Sequence, residues 1–319
     1  MTTRDLFSVR VERRDDVAER VASFDLVALD GTALPPFTAG AHVELEVEPG
    51  KTRCYSLYGD PADGTRYRIA VLREEGGRGG SRAVHARLHT GAVARISRPR
   101  NAFALEENAP HSLLLAGGIG VTPLLAMAAR LTALGRSFEL HLCCRSRAAA
   151  PLLAEIKAVA GGRARFHFDD EPADQRLDFT TLAAGLPVGT HAYVCGPAGF
   201  MAAATGALAT CLPPEAIHTE SFAPAAPRSG DDAFTVRLSV SGLDVEVPAG
   251  VSLLEALAQA GVVPETSCEQ GMCGVCLTRV LGGVPDHRDS YLSPQERQRG
   301  DVMTPCCSRS LSDLLVLEL

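Results

Sequence analysis

The chain has 319 residues, room for two or three domains, and its 46% hydrophobic and 22% charged residues are those of a globular protein, not a disordered one. A net charge of −7, with no dense basic run to offset it, argues against nucleic acid as a partner. No apolar run approaches the ~18 residues of a membrane span, and the opening MTTRDLFSVRVERRDD has no apolar signal core, so a cytoplasmic protein without membrane association is expected.

Residues 1–108 read as all-β. In AHVELEVE, Ala41, Val43, Leu45 and Val47 alternate with His42, Glu44, Glu46 and Glu48, the period of a half-buried strand. RYRIAVLR repeats the pattern with Tyr67, Ile69 and Val71, and turns such as Gly59-Asp60-Pro61 separate the runs. Short strands with regular turns predict a small antiparallel β-barrel.

Residues 109–223 change to strand–helix alternation. SLLLA runs into glycines, and TPLLAMAARLTALG follows with Thr122 as an expected N-cap, Pro123 at the first helical position and Gly135 as the stop. FELHLCC, PLLAEIKAVAG, RARFHF and AYVCG continue the alternation, and a helix is expected from about Gly199 to Thr210. The pattern predicts an α/β, Rossmann-like parallel sheet.

Residues 224–231 lie in a Pro/Gly/Ser-rich junction and read as a linker. Beyond it, residues 232–319 open with a hairpin on Phe234, Val236, Leu238, Val240, Leu243, Val245 and Val247, then a helix announced by the capping box Ser252–Glu255. This last block carries 12 acidic residues against 6 arginines, so nearly all of the net charge sits there.

Half of the ten cysteines crowd into the same block. Cys268, Cys273 and Cys276 follow C-x4-C-x2-C, with Cys306 further on, the plant-type [2Fe–2S] spacing in which four thiolates hold two irons. Gly271 and Gly274 let the loop wrap tightly and aim N–H groups at the sulfurs. Structural zinc is the alternative, but zinc frameworks usually present two C-x2-C pairs and only one is here. The spacing favours Cys306 as fourth ligand, with Cys307 as a packed bystander.

Three further motifs bear chemistry. RCYSL offers the forked cation of Arg53 for a phosphate and the flat face of Tyr55. GGRGGSR, Gly76 to Arg82, precedes a short helix and can present N–H groups and Ser81 to a phosphate. GGIGVTP, Gly117 to Pro123, departs from G-x-G-x-x-G yet places glycines and a helix N-terminus where a nucleotide backbone could approach. Neither G-x-S-x-G nor H-E-x-x-H is present, so hydrolase chemistry has no anchor.

The hairpin, capped helix and cysteine loop resemble a β-grasp ferredoxin domain of α+β class. Behind a barrel and a parallel-sheet domain, they resemble the phthalate dioxygenase reductase and vanillate O-demethylase reductase family over nearly the whole chain. The resemblance implies a flavin domain at 1–108, a nucleotide domain at 109–223 and a ferredoxin domain at 232–319. It implies FMN, in preference to FAD, on Arg53, Tyr55, Ser56, Ala70, Val71, Leu72, Gly79, Gly80 and Ser81, with Ser56 near flavin N5. It implies NADH, in preference to NADPH, on Gly117, Gly118, Gly120, Thr122, Arg145, Ser146, Cys195, Gly196 and Pro197. Cys195 would stand near the nicotinamide, and Phe222 would cover the flavin until the nicotinamide displaces it. Arg147 leaves the NADPH question open, because an arginine can pair with a 2′-phosphate.

Electron counting orders these cofactors. NADH delivers two electrons as hydride, a [2Fe–2S] cluster takes one, and a flavin converts between them. The chain shows no Rieske C-x-H pattern and no facial triad, so the acceptor is expected to be a separate protein. The resemblance makes that partner the Rieske-type terminal oxygenase of an oxygenase or demethylase system; the acidity of the ferredoxin domain suggests docking there, and a monomeric reductase is expected. The alternatives are a reductase serving a cytochrome P450 or other monooxygenase and, from another class, a non-enzymatic zinc- and nucleotide-binding module.

Overall fold

A computed structural model describes residues 6–76, 79–172, 176–222, 230–266, 268–289 and 291–319. Most of the expected linker and two residues of the glycine-rich loop, Gly77 and Arg78, lie outside the described residues.

The first sheet joins β1 (Leu6–Ala18), β2 (Val21–Ala28), β3 (His42–Glu48), β4 (Lys51–Ser56), β5 (Tyr67–Leu72) and, after helix α1 (Gly80–Arg87), β6 (Val93–Ser97). Its order is β4-β3-β6-β1-β2-β5, and a Tyr58–Arg68 bridge ties the segment after β4 to β5, bringing the two edges together. The alternation predicted for β3 holds for its apolar face, but His42 and Glu44 are buried too. The segment after β6 covers them: the Glu44 N–H donates to Ser97 Oγ at 3.0 Å, and Arg100 stands 3.7 Å from Glu44 Oε1.

The second sheet is parallel, in the order β11-β10-β7-β8-β9. It runs β7 (His111–Gly117), α2 (Val121–Ala133), β8 (Phe138–Cys144), α3 (Leu153–Ala160), β9 (Ala164–Phe168), α4 (Phe179–Ala184), β10 (Thr190–Cys195), α5 (Ala198–Leu208) and β11 (Ile217–Glu220). One face, with Leu114, Ala116, Leu140 and Tyr193, shares a continuous core with the barrel; the other packs Leu113, Leu115, Ala192 and Val194 against Ala204 and Leu208 of α5. Both faces are covered, which is why these strands read as unbroken apolar runs. Thr122 is not the N-cap: a 3₁₀ turn at Gly118–Gly120 leads into α2, Gly120 occupies the cap, and Thr122 Oγ1 donates to the Ile119 carbonyl at 3.0 Å.

The third region contains β12 (Phe234–Leu238), β13 (Asp244–Val247), α6 (Leu253–Gln259), β14 (Thr278–Gly282), β15 (Pro285–Asp286), α7 (Pro294–Arg299), β16 (Val302–Met303), β17 (Arg309–Ser310) and β18 (Leu314–Leu317). Its main sheet runs β13-β12-β18-β14-β16, with β12 parallel to β18, and α6 buries Leu253, Ala256 and Leu257 against it. Val240 and Leu243 are exposed in the hairpin turn, where no neighbouring element covers them. At α6 only half of the expected box forms, Glu255 N donating to Ser252 Oγ at 3.2 Å, while a full capping box stands at Ser293–Glu296. The chain's main division follows Phe222, so the barrel and the parallel sheet share one compact unit. No helix among the described residues is long and apolar enough to cross a membrane.

Candidate functional site

Arg53, Tyr55 and Ser56 lie on β4, and the start of α1 stands against Arg53. A Cβ on Gly80 would sit 2.9 Å from Arg53 Cγ and Nε, so the Arg53 side chain crosses the start of α1, and only glycine admits it. Gly79, at φ 89°, turns the loop in a left-handed conformation that glycine adopts without strain. Ser81 Oγ accepts the Glu74 N–H at 3.0 Å, which bends the loop back and leaves the hydroxyl proton to be donated. The outer flank of α1 borders a cleft of about 350 Å³ lined by Arg14, Arg73, Arg82 and His85 with Glu75. Arg53 of the motif strand thus lies against the N-terminus of α1, where backbone N–H groups are unpaired by the helix. Ala70 and Val71 are buried in β5, with Leu72 at their edge, and burial pushes the Tyr55 phenol well above its ordinary value, so it stays neutral.

The glycines of the nucleotide motifs touch one another. A Cβ on Gly120 would collide with the backbone carbonyl of Cys195, and one on Gly117 would stand 2.7 Å from Pro197 Cδ. Gly196 has the same constraint, its Cβ position lying 2.8 Å from Gly117 Cα. The GGIGVTP turn and the Cys195-Gly196-Pro197 turn therefore form one backbone-lined notch at the carboxyl ends of β7 and β10, where open parallel sheets bind ligands. Arg145 and Ser146 stand beyond the end of the neighbouring strand β8; Arg145 is exposed, and Ser146 Oγ accepts the Ala149 N–H at 3.3 Å.

One residue joins the two sets, and the sequence reading passed over it. Glu220, at the end of β11, pairs in register with Cys195, and Ser56 Oγ of the flavin motif donates to its Oε2 at 3.3 Å. The carboxyl is buried, and desolvation pushes its pKa to about 8, partly opposed by the Ser56 hydrogen bond. Oε1 has no hydrogen-bond partner among the described residues. Glu220 thus carries a proton at neutral pH, inside the space between Ser56 and Cys195. Burial, joined above about pH 8 by the ionised Glu220 carboxylate, holds the Cys195 thiol well above its ordinary value, so Cys195 is neutral. Phe222, two residues on, packs against the shared core. The signal was weak, because β11 reads Ile-His-Thr-Glu and a glutamate at its end does not stand out.

The metal-ligand candidates lie in the second unit. Cys268, Cys273, Cys276 and Cys306 are all buried; Cys268 lies beside Cys273, and Cys276, Cys306 and Cys307 pack together. Backbone N–H groups point at the sulfurs, Gln270 at Cys268 (3.4 Å) and Val275 at Cys273. Gly271, at φ 70°, leaves room for Cys307 Sγ, and Gly274, at φ 71°, lies beneath the Tyr291 ring. Cys307 Sγ contacts Thr304 Oγ1 at 3.2 Å as well as Cys306. Among the described residues no three His, Cys, Asp or Glu side chains converge as a mononuclear site requires. Buried thiols with backbone N–H donors aimed at them are the donor set that suits an iron–sulfur cluster.

Comparison with known proteins agrees. Residues 236–311 match the family model for the 2Fe-2S iron-sulfur cluster binding domain. Over 95% of its length the chain is 45% identical to the vanillate O-demethylase oxidoreductase of Pseudomonas sp. (strain HR199 / DSM 7063), covering 96% of that protein. The chain belongs to the vanillate O-demethylase oxidoreductase family. A solved structure of phthalate dioxygenase reductase, described as a modular structure for electron transfer from pyridine nucleotides to [2Fe–2S], aligns with a TM-score of 0.72 at 36% identity. The match covers 99% of this chain and 98% of that one. An intact type IV self-sufficient cytochrome P450 monooxygenase aligns with a TM-score of 0.79 at 36% identity, over 98% of this chain and 41% of that longer polypeptide. Like its relatives in the vanillate O-demethylase oxidoreductase family, the protein is an oxidoreductase, the electron-transfer reductase component of an oxygenase or demethylase system. It has a flavin-type barrel, a pyridine-nucleotide sheet and an iron–sulfur domain.

Proposed function

We propose that the protein takes hydride from NADH onto FMN and passes single electrons through a [2Fe–2S] cluster to a separate Rieske-type terminal oxygenase. Arg53, Tyr55, Ser56, Ala70, Val71, Leu72 and Gly79–Ser81 would hold FMN; Gly117, Gly118, Gly120, Thr122, Arg145, Ser146 and Cys195–Pro197 the nucleotide; and Cys268, Cys273, Cys276 and Cys306 the cluster. When bound, the nucleotide supplies hydride, the flavin converts a two-electron delivery into single electrons, and the cluster carries them onward.

The chain's own part is placement and proton control. Glycines at 117, 120 and 196 let the two turns pack backbone to backbone, which would set their N–H groups side by side for the nucleotide. Ser56 donates to Glu220 Oε2 and fixes the carboxyl, whose proton is held where hydride arrival creates demand for one. The Ser56–Glu220 hydrogen bond carries the reading, because it brings the flavin motif of the barrel to the nucleotide end of the parallel sheet.

An anaerobic NADH titration followed by visible absorption, with iron and released flavin quantified on the same sample, tests it. The expected result is bleaching of flavin and cluster together, two irons per flavin, and FMN on mass analysis. A colourless zinc protein, or flavin that NADH leaves oxidised, overturns it; released FAD would revise the flavin alone. The excess of 12 acidic residues over 6 arginines in residues 232–319 supports docking on a basic partner surface. Raising salt should then slow electron transfer to the oxygenase but not flavin reduction by NADH; equal slowing of both removes the docking idea. The structural match to a self-sufficient P450 supports a second reading, with a haem monooxygenase as acceptor. Reconstitution with each class of acceptor separates the two.

A further inference from the structure

The segment after β8 carries two arginines, Arg145 and Arg147, in the place where a nucleotide's adenosine ribose is read. Arginine there ordinarily favours a 2′-phosphate and hence NADPH. The surroundings oppose that. The turn after β9, Asp169-Asp170-Glu171, is hydrogen-bonded back onto this segment: Asp169 N–H donates to the Cys144 carbonyl at 3.0 Å and Asp170 N–H to the Arg145 carbonyl at 3.1 Å. Arg176 holds the turn from the other side, donating to the Asp169 carbonyl at 2.7 Å. The backbone of a turn that carries three carboxylates is thereby fixed beside the segment with the two arginines. The Asp169 charge reaches as far as the Cys143 and Cys144 thiols and helps hold both above their ordinary values.

Arg147 is also engaged. Its guanidinium lies over the Phe168 ring, 4.7 Å from the centroid, and its Nη2 stands 3.7 Å from Glu171 Oε1. Arg145, by contrast, is exposed and makes no ion pair among the described residues. A 2′-phosphate, with nearly two negative charges, would meet three carboxylates and one available arginine, whereas a ribose 2′-hydroxyl meets hydrogen-bond acceptors and no repulsion.

We propose that the acidic turn Asp169–Glu171 is the element that selects NADH over NADPH, by repelling the 2′-phosphate and by holding Arg147 against Phe168. The inference rests on the reading that the nucleotide lies across the carboxyl ends of β7, β8 and β10.

The test uses the full-length, cofactor-loaded protein with D170N/E171Q, both positions at least partly exposed, and the same pair combined with R147A. Flavin reduction by NADH and by NADPH gives kcat/KM for each. Binding of ADP-ribose and 2′-phospho-ADP-ribose, measured by calorimetry, gives a readout independent of turnover. In D170N/E171Q, NADPH kcat/KM should rise at least tenfold and 2′-phospho-ADP-ribose should tighten in parallel, while NADH changes by less than threefold. Adding R147A should reverse most of the gain. An unchanged NADPH value with intact NADH activity overturns the inference, as does a gain that survives R147A. If the parent protein binds neither ADP-ribose nor its 2′-phosphate, the nucleotide-site reading itself fails, an outcome distinct from the first two.

Discussion

The cysteine loop and the cleft where Ser56 meets Glu220 are built by opposite routes. In the loop, three of the four candidate ligands fall within nine residues, and two glycines in left-handed conformations wrap the backbone around them. In the cleft, Ser56, Gly120, Cys195 and Glu220 come from four strand ends spread over more than half of the chain. Local spacing is enough to define a metal-binding loop because the ion fixes its ligands' geometry. A site for a flat organic ligand needs close backbone approach and one positioned carboxyl, and both depend on which strands become neighbours.

Cys276→Ser should have the largest effect and divide the two regions cleanly. Iron content and cluster absorption fall to background, yet NADH still reduces the flavin within about twofold of the parent rate, because no ligand of the loop belongs to the cleft. Loss of both activities would show that the regions are one functional unit.

Gly120→Val attacks the cleft from its backbone. The new side chain must displace the Cys195 carbonyl, and overpacking of this kind costs about 3 kcal/mol. Nucleotide binding should be lost with the cluster spectrum unchanged, read by thermal melting and NADH titration. Normal NADH affinity in this variant would disprove the shared notch.

Glu220→Gln sharpens the comparison through pH. The native carboxyl keeps its proton up to about pH 8, while the unfolded chain releases it near the ordinary carboxylate value. Between about pH 4.5 and 8, stability of the parent therefore falls by about 1.4 kcal/mol per pH unit from this group, since the unfolded state binds fewer protons. The glutamine variant lacks that slope and gains relative stability as pH rises, measured by urea unfolding across the window. Flavin reduction should slow by about 10²-fold, the usual worth of a positioned proton donor. Parallel stability curves for the two proteins would mean that the carboxyl is already ionised.

Cys307→Ser is the mildest change. Cys307 packs beside Thr304, Gly271 and Cys306, and the ligand spacing favours Cys306 as the fourth thiolate, so the cluster should assemble with its iron content intact. Loss of iron would make Cys307 the fourth ligand in place of Cys306.

Much of the architecture was legible in residue order. Period-2 runs marked β3 and β5, strand–helix alternation marked the parallel sheet, and the Pro/Gly-rich junction fell where the chain divides. The misreadings have one cause: tertiary neighbours change what a local pattern means. His42 and Glu44 were assigned to solvent until the segment after β6 covered them, and Thr122 lost its cap when a 3₁₀ turn moved the helix start.

The sequence by itself determined the cysteine spacing, the order of strands and helices, the glycines at the nucleotide turns and the acidic character of the C-terminal region. These are written in residue type and short-range period, and they need no partner to be read. Only the tertiary structure decided that Ser56 meets Glu220 across 164 residues, that Gly120 lies against Cys195, that Cys276, Cys306 and Cys307 pack together, and that Arg147 stands beside Glu171. Each of those depends on burial or on a long-range contact. A carboxyl becomes a proton reservoir, or an arginine a silent one, only when folding has chosen its neighbours.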